Sequence, residues 1–248
     1  MARNTAPPHL ILLHGGGADH RLWASTAPLL ADRFRVDTPD MPGHGAAPAP
    51  PEPTVASLAR ALAADLAPRI RGPYHLVGHS LGGMAAMALA ATDLPPPERL
   101  VLADTFLRPS TGLDRSARML ALHWGAAVLG NRNATRAVLD RMDLGTDGFD
   151  ATLRASMTHP HAWPLHTMMG AMRRFDGRPH LARIACPTLL LMAGGNASTD
   201  GEGERMARHL AHPTIRVMPG AGHLQMRDDP ALFVRLVGDF LLGTMDPP

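Results

Sequence analysis

The sequence contains no lysine: all 24 of its basic residues are arginine, set against 22 acidic ones. Catalysis through a lysine Schiff base is therefore excluded. A single cysteine, Cys186, leaves no internal disulfide to form. One tyrosine and one cysteine leave almost nothing to titrate between histidine and arginine, so a formal charge of only +2 coexists with an isoelectric point near 9.4. The arginines are scattered rather than gathered in a run or stripe, and no nucleic-acid partner is expected. No apolar run approaches the roughly 18 residues of a membrane span, so no membrane partner is expected either. The opening stretch MARNTAPPHLILLHGGG has too short an apolar core for a signal peptide, which makes a cytoplasmic protein the expectation.

What is present suits one α/β unit. Hydrophobic residues make up 45% and charged residues 19% of 248 positions, a composition able to build a sizeable core. Six strand-like runs occur at 9–15, 33–40, 74–80, 99–105, 188–195 and 214–223. Helical patterns separate most of them. Residues 54–70 place Val55, Leu58, Leu62, Leu66 and Ile70 on one face behind a Thr54 N-cap. Residues 81–92 are small and apolar almost all round, as in a helix buried against a sheet. Residues 229–243 read as a closing helix. The alternation predicts a mainly parallel, doubly wound sheet covered on both faces.

Between VLADT and CPTLLLM the strand pattern stops. Short helices fit at about 114–129, 132–142, 148–158 and 164–174, in a stretch rich in Met, Arg, Leu and Trp. The division expected is a core of 1–106 and 184–248, with a helical cap of 107–183 inserted between two strands over the edge where α/β sheets bind ligands. The proline-rich 45–54 and the shorter 95–98 read as surface loops.

Gly78-His79-Ser80-Leu81-Gly82 is a G-x-S-x-G pattern set between a strand and a helix. The turn is too tight for side chains at its glycines, and it pushes the Ser80 hydroxyl out at a helix N-terminus, where the Leu81 N–H faces developing negative charge. His14-Gly15-Gly16-Gly17 at another strand end lets backbone N–H groups converge. It lacks the spacings of phosphate-binding glycine loops, so an oxyanion hole from the Gly16 and Leu81 N–H groups is the better reading. His223 follows the last strand and precedes the closing helix, where the base belongs in this chain order.

With HGGGADHRLW, DMPGHG, VGHSLGG and GAGH in place, the chain resembles the α/β-hydrolase superfamily, in its capped esterase, enol-lactonase and C–C hydrolase branch. The resemblance covers nearly the whole chain. It implies Ser80 as nucleophile, His223 as base and then acid, and no cofactor. A serine nucleophile also argues against epoxide-hydrolase and dehalogenase chemistry. One departure stands out. The acid that orients the histidine usually follows the strand before the histidine's own, about three residues past a glycine, and here that place is Ala197 or Ser198. Two carboxylates could fill the role: Asp200, slightly later in the same loop, and Asp104, at the end of the preceding strand. Asp104 is preferred; Asn196, or no acid, is the residual case.

The weaker readings concern the pocket. Gly17, Trp23, Met84, Trp124 and Trp163 are candidate substrate-pocket residues, and Met119, Met142 and Met157 either line an adaptable apolar pocket or pack the cap. His159, His161 and His166 have no adjoining carboxylate or cysteine, so no metal site is expected. His44 and His79 are read as structural. The function expected is a serine hydrolase that cleaves an ester, lactone or thioester of a modest-sized, mostly apolar small molecule through an acyl-enzyme. The alternatives are a non-hydrolytic lyase or cyclase, or a C–C bond hydrolase, on the same scaffold, and then a non-catalytic ligand-binding protein.

Overall fold

The computed structural model describes residues 7–108, 145–146 and 148–245. Six strands form one sheet: β1 (His9–Leu13), β2 (Arg35–Asp37), β3 (Tyr74–His79), β4 (Arg99–Ala103), β5 (Thr188–Ala193) and β6 (Pro213–Met218), in the order β2-β1-β3-β4-β5-β6. All the pairings are parallel. Each strand lies within or beside an apolar run predicted from the sequence. In the central strands β1, β3, β4 and β5 the runs are nearly unbroken because both faces of the sheet are buried there. Leu10 and Leu12 pack on one side with Val77, Val101, Leu189 and Leu191; Ile11 and Leu13 pack on the other with Leu76, Leu100, Leu102 and Leu190. Successive side chains of a strand point to opposite faces, so these alternating sets feed two core layers.

Helices cover both layers. Helix α1 (Val55–Leu66) starts at Thr54, whose side chain accepts a hydrogen bond from the Ser57 N–H, and buries the Val55, Leu58, Leu62 and Leu66 face that its periodicity predicts. Every residue of α2 (Leu81–Leu89) is buried. Its glycines bring it hard against the sheet: a Cβ on Gly82 would overlap the Leu13 and His14 carbonyl oxygens, and one on Gly83 would stand 2.6 Å from the Thr105 Cβ. Between β4 and β5 lie α3 (Gly148–Thr158) and α4 (Leu165–Arg173), matching two of the four helices expected there. The other two, at 114–129 and 132–142, fall outside the described residues. Helix α5 (Glu202–Ala207) precedes β6, and α6 (Pro230–Leu242) closes the chain, capped by the Asp229 side chain on the Leu232 N–H. Among the described residues, no helix is long and apolar enough to cross a membrane.

The order of strands carries the functional geometry. From β1 the chain goes outward to β2 and then returns across to β3. The connections thus diverge between β1 and β3, and the loops beyond their carboxyl ends frame a crevice. The sequence segments HGGG, GHSLGG and VLADT all leave the sheet at that edge.

Candidate active site

Ser80 sits at the turn from β3 into α2 with φ 53° and ψ −117°, a left-handed conformation that costs a side-chain-bearing residue about 1–3 kcal/mol. The surroundings hold it there. Its backbone N–H donates to the Ala103 carbonyl at 3.1 Å, continuing the β3–β4 ladder by one residue, and its own carbonyl accepts the Thr105 hydroxyl at 2.7 Å. A Cβ on Gly78 would overlap the Gly82 carbonyl, which accounts for both glycines of the pattern. Leu81 opens α2, so its N–H belongs to the first turn, which no intrahelical carbonyl can satisfy.

The glycine loop after β1 faces this turn. A Cβ on Gly15 would lie 3.5 Å from the Ser80 Cβ and 2.8 Å from His79 Nδ1. His14 organises the loop from beneath. The Met41 N–H donates to His14 Nε2 at 2.9 Å, so the ring proton is on Nδ1, which donates to the Gly15 carbonyl at 2.8 Å. Burial lowers the His14 pKa to about 4, keeping the ring neutral in this tautomer at neutral pH. The Gly15 carbonyl shares its peptide plane with the Gly16 N–H, and in a trans peptide the two point in opposite directions. Holding that carbonyl therefore aims the Gly16 N–H.

His223 follows β6 and is partly exposed, its side chain 37% accessible, whereas Asp104 is fully buried. The His223 Nδ1–H donates to Asp104 Oδ2 at 2.6 Å. Asp104 leaves β4 with φ 43°, another left-handed residue that is not glycine. It accepts three further hydrogen bonds: Asn196 Nδ2 on Oδ2 at 2.6 Å, and the Thr199 hydroxyl and Ala193 N–H on Oδ1 at 2.7 and 3.2 Å. Burial alone would raise the Asp104 pKa. The hydrogen bond and charge of His223, with the Thr199 and Asn196 bonds, outweigh it and hold the carboxyl below its ordinary value. Asp200, the other claimant, is exposed, and among the described residues only its backbone carbonyl is engaged, by the Arg205 guanidinium. Helix α5 takes Gly201 rather than Asp200 as its N-cap. The loop in which an acid was expected thus supplies donors to an acid on the neighbouring strand, a role that the sequence reading did not assign to Asn196 or Thr199.

His79 packs against His223 with ring centroids 4.7 Å apart, and its Nε2–H donates to the His223 carbonyl at 2.8 Å. Burial pushes its pKa down to about 3, so it is a neutral strut beneath the loop of His223. Of the pocket candidates, Gly17 lies in the glycine loop with φ 74°, and Met84 is buried in α2. The Trp163 ring lies against Gly43, and the Trp163 backbone N–H donates to the Gly43 carbonyl at 2.9 Å. Trp23 instead packs on Phe233 at 6.0 Å between ring centroids, in the core layer on the other face of the sheet from Met84. Trp124, Met119 and Met142 lie outside the described residues. Met168, not singled out in the sequence, covers Gly16: a Cβ there would come within 2.5 Å of its sulfur.

Among the described residues, Asp19, His20 and Asp40 bring ligand-type atoms within 4.8 Å of one another. Each carboxylate is already engaged within the protein. Asp19 accepts from Arg21 and Ser156, and Asp40 from the His20 ring and N–H and from the Ala46 N–H.

Comparison with known proteins agrees with this fold. Residues 10–236 match the model of the Alpha/beta hydrolase family. The chain is 30% identical over 243 residues to a pimeloyl-[acyl-carrier protein] methyl ester esterase of Chromobacterium violaceum, covering 94% of each. It is 25% identical to 3-oxoadipate enol-lactonase 1 of Acinetobacter baylyi, covering 94% of this chain and 88% of that one. Among solved structures, the enol-lactonase from Burkholderia xenovorans LB400 superposes with a TM-score of 0.82 at 24% identity, over 97% of this chain and 93% of that one. A doubly wound parallel sheet, a serine elbow after its third strand and a sequence match spanning nearly the whole chain place this protein in the Alpha/beta hydrolase family, as an enzyme of its esterase and enol-lactonase branch.

Proposed function

We propose that this protein is a serine ester hydrolase acting on a modest-sized, mostly apolar small-molecule ester, lactone or thioester. Ser80 is the nucleophile, His223 the base that takes its proton and later returns it to the leaving group, and Asp104 the carboxylate that holds His223 in the tautomer with Nε2 free. The Gly16 and Leu81 N–H groups receive the oxyanion. The observation that carries this reading is the 2.6 Å contact from His223 Nδ1 to a fully buried Asp104, whose strand-end neighbour is Ser80 itself. Methyl esters of acyl chains and enol-lactones, the substrates in the relatives' names, both fit a serine acyl transfer. Within the expected cap, α4 lays Met168 over Gly16, and Trp163 packs against Gly43. An acid is absent from its usual place after β5, a departure that would suit altered chemistry; with Asp104 in that role through its contact with His223, hydrolysis is favoured over lyase or cyclase chemistry.

The reading makes the protein an acyl-enzyme former. A fluorophosphonate probe should label Ser80, and p-nitrophenyl butyrate should give a burst of p-nitrophenolate before steady turnover. Absence of both label and turnover in the folded wild type would sink it, as would undiminished turnover in Ser80→Ala.

A further inference from the structure

Three side chains of the segment between β4 and β5 reach the glycine loop after β1. Ser156 of α3 donates its hydroxyl to Asp19 Oδ1 and accepts the Asp19 N–H, both at 2.8 Å. Met168 of α4 lies over Gly16, and its sulfur is 3.2 Å from His44 Nε2. His161, between the two helices, is hydrogen-bonded to backbone groups at Gly45 and Gly17 and also faces the Ser156 backbone. The Gly45 N–H donates to its Nδ1 at 2.9 Å, which leaves the proton on Nε2 to donate to the Gly17 carbonyl at 3.2 Å. Burial holds its pKa below the usual histidine value, consistent with a neutral ring that can accept and donate at once.

The loop these residues grip is weak on its own. Gly15, Gly16 and Gly17 in succession give up more conformational freedom on ordering than any other three residues would, and Gly17 stands at φ 74°. His14 secures the loop at the Gly15 carbonyl; two residues later, His161 secures it at the Gly17 carbonyl. The Gly16 N–H lies between these two fixed points. An oxyanion hole works because its donors are already in place when charge develops, and a misplacement of about 1 Å costs up to about 100-fold in rate.

We propose that His161 is a positioning residue for the oxyanion loop: by holding the Gly17 carbonyl it makes the seating of the inserted helices a condition for a correctly aimed Gly16 N–H. The inference rests on the esterase reading above. No sequence pattern signals it, because the partners are backbone atoms more than a hundred residues away.

Three variants at one position separate the two contacts. Asparagine places an amide near the Nδ1 position, so it can accept from Gly45 but not reach Gly17. Glutamine extends to the Nε2 position and can donate to Gly17. Phenylalanine keeps the ring and loses both bonds. Each would be assayed for p-nitrophenyl butyrate hydrolysis, with melting temperature measured alongside. His161→Asn and His161→Phe should lower kcat about 10- to 100-fold with KM within about threefold of wild type, and His161→Gln should recover most of the kcat. Wild-type kcat in the Asn variant would overturn the proposal, as would equal losses in Asn and Gln, since the Gly17 contact would then not be the one that matters. If the Phe variant does not fold, the Asn–Gln pair alone decides. A folded wild type without ester turnover or Ser80 labelling would overturn both the esterase reading and this inference, whereas an active wild type with an unaffected Asn variant would overturn this inference alone.

Discussion

Asp104→Asn removes one charge and almost no volume from the centre of the proposed triad, so its outcome tests the whole arrangement. Asparagine tolerates left-handed backbone better than most residues, so φ 43° is no obstacle to folding. The amide must orient its oxygen toward either Thr199 and Ala193 or Asn196 and His223. The first pair offers two donors that need an acceptor, at 2.7 and 3.2 Å in the wild type, and one of them is a backbone N–H that cannot turn away. The amide NH2 then faces His223, whose Nδ1 can only accept from it, and the ring proton moves to Nε2. A ring protonated at Nε2 cannot take the Ser80 proton. Forcing this wrong tautomer costs about 10⁴ in kcat, or about 5.4 kcal/mol at 1.36 kcal/mol per tenfold. Steady-state hydrolysis of p-nitrophenyl butyrate at pH 8 would read the loss, with circular dichroism to verify the fold. The same geometry offers a rescue. Asn196 Nδ2 lies 2.6 Å from Asp104 Oδ2 and 3.4 Å from His223 Nδ1, so Asn196→Asp in the Asp104→Asn background restores a carboxylate within reach of the ring. We expect the double variant to regain about 10-fold or more over the single one. A single variant within tenfold of wild type would refute the assignment of Asp104.

Other outcomes follow from the same structure. His14→Phe leaves the Met41 N–H and the Gly15 carbonyl without their buried partner, and should lose about 1–3 kcal/mol in chemical denaturation while lowering kcat about 10²-fold; unchanged kcat would separate His14 from the aim of Gly16. Gly82→Ala forces a methyl into the Leu13 and His14 carbonyl oxygens, and should cost about 3 kcal/mol or more, read as insolubility or a collapsed melting temperature; a soluble variant with a wild-type melting temperature would refute the packing of α2. Burial raises the Asp19 pKa, but the Arg21 and Ser156 hydrogen bonds depress it further, to a value well below that of a free carboxyl. A depressed folded-state pKa contributes stability that is complete above the unfolded value and fades as pH falls through the folded one. The gap between wild type and Asp19→Asn in urea midpoints should therefore be full at pH 7 and shrink below about pH 4; a gap independent of pH would refute it.

The sheet was legible because burial on both faces writes a strand as an unbroken apolar run, and Leu10 to Leu13 or Leu189 to Met192 can be read without any partner. Ser80 was legible because its strained turn demands glycines at fixed offsets. The acid was open between Asp104 and Asp200 because its contact with His223 spans 119 residues and depends on how β4 ends. The donor roles of Asn196 and Thr199 are not legible because Asn, Ser, Thr and Gly in a loop are also ordinary turn composition. Trp23 is a pocket candidate from the sequence alone. The short helix His20–Trp23 instead turns its ring beneath the sheet edge, onto Phe233 of α6. The role of His161 is not legible either, since spacing between side chains carries no information about a bond to a distant peptide.

The place of Asp104 also bears on how this enzyme can vary. Ser80 and Asp104 leave adjacent strands at the same level, joined by the Ser80 N–H to Ala103 carbonyl bond, while Asp104 is tied on its other side to Leu191 of β5. With Asp104 as the proposed acid, nucleophile and acid ride on one rigid frame, and any drift of that frame carries both together. The loop from Gly194 to Asp200, much of it exposed, keeps only an auxiliary share in the chemistry. Such a loop is free to lengthen, shorten or change partners over generations with graded effects on rate, where the same changes in a loop bearing the acid itself would end activity at a stroke.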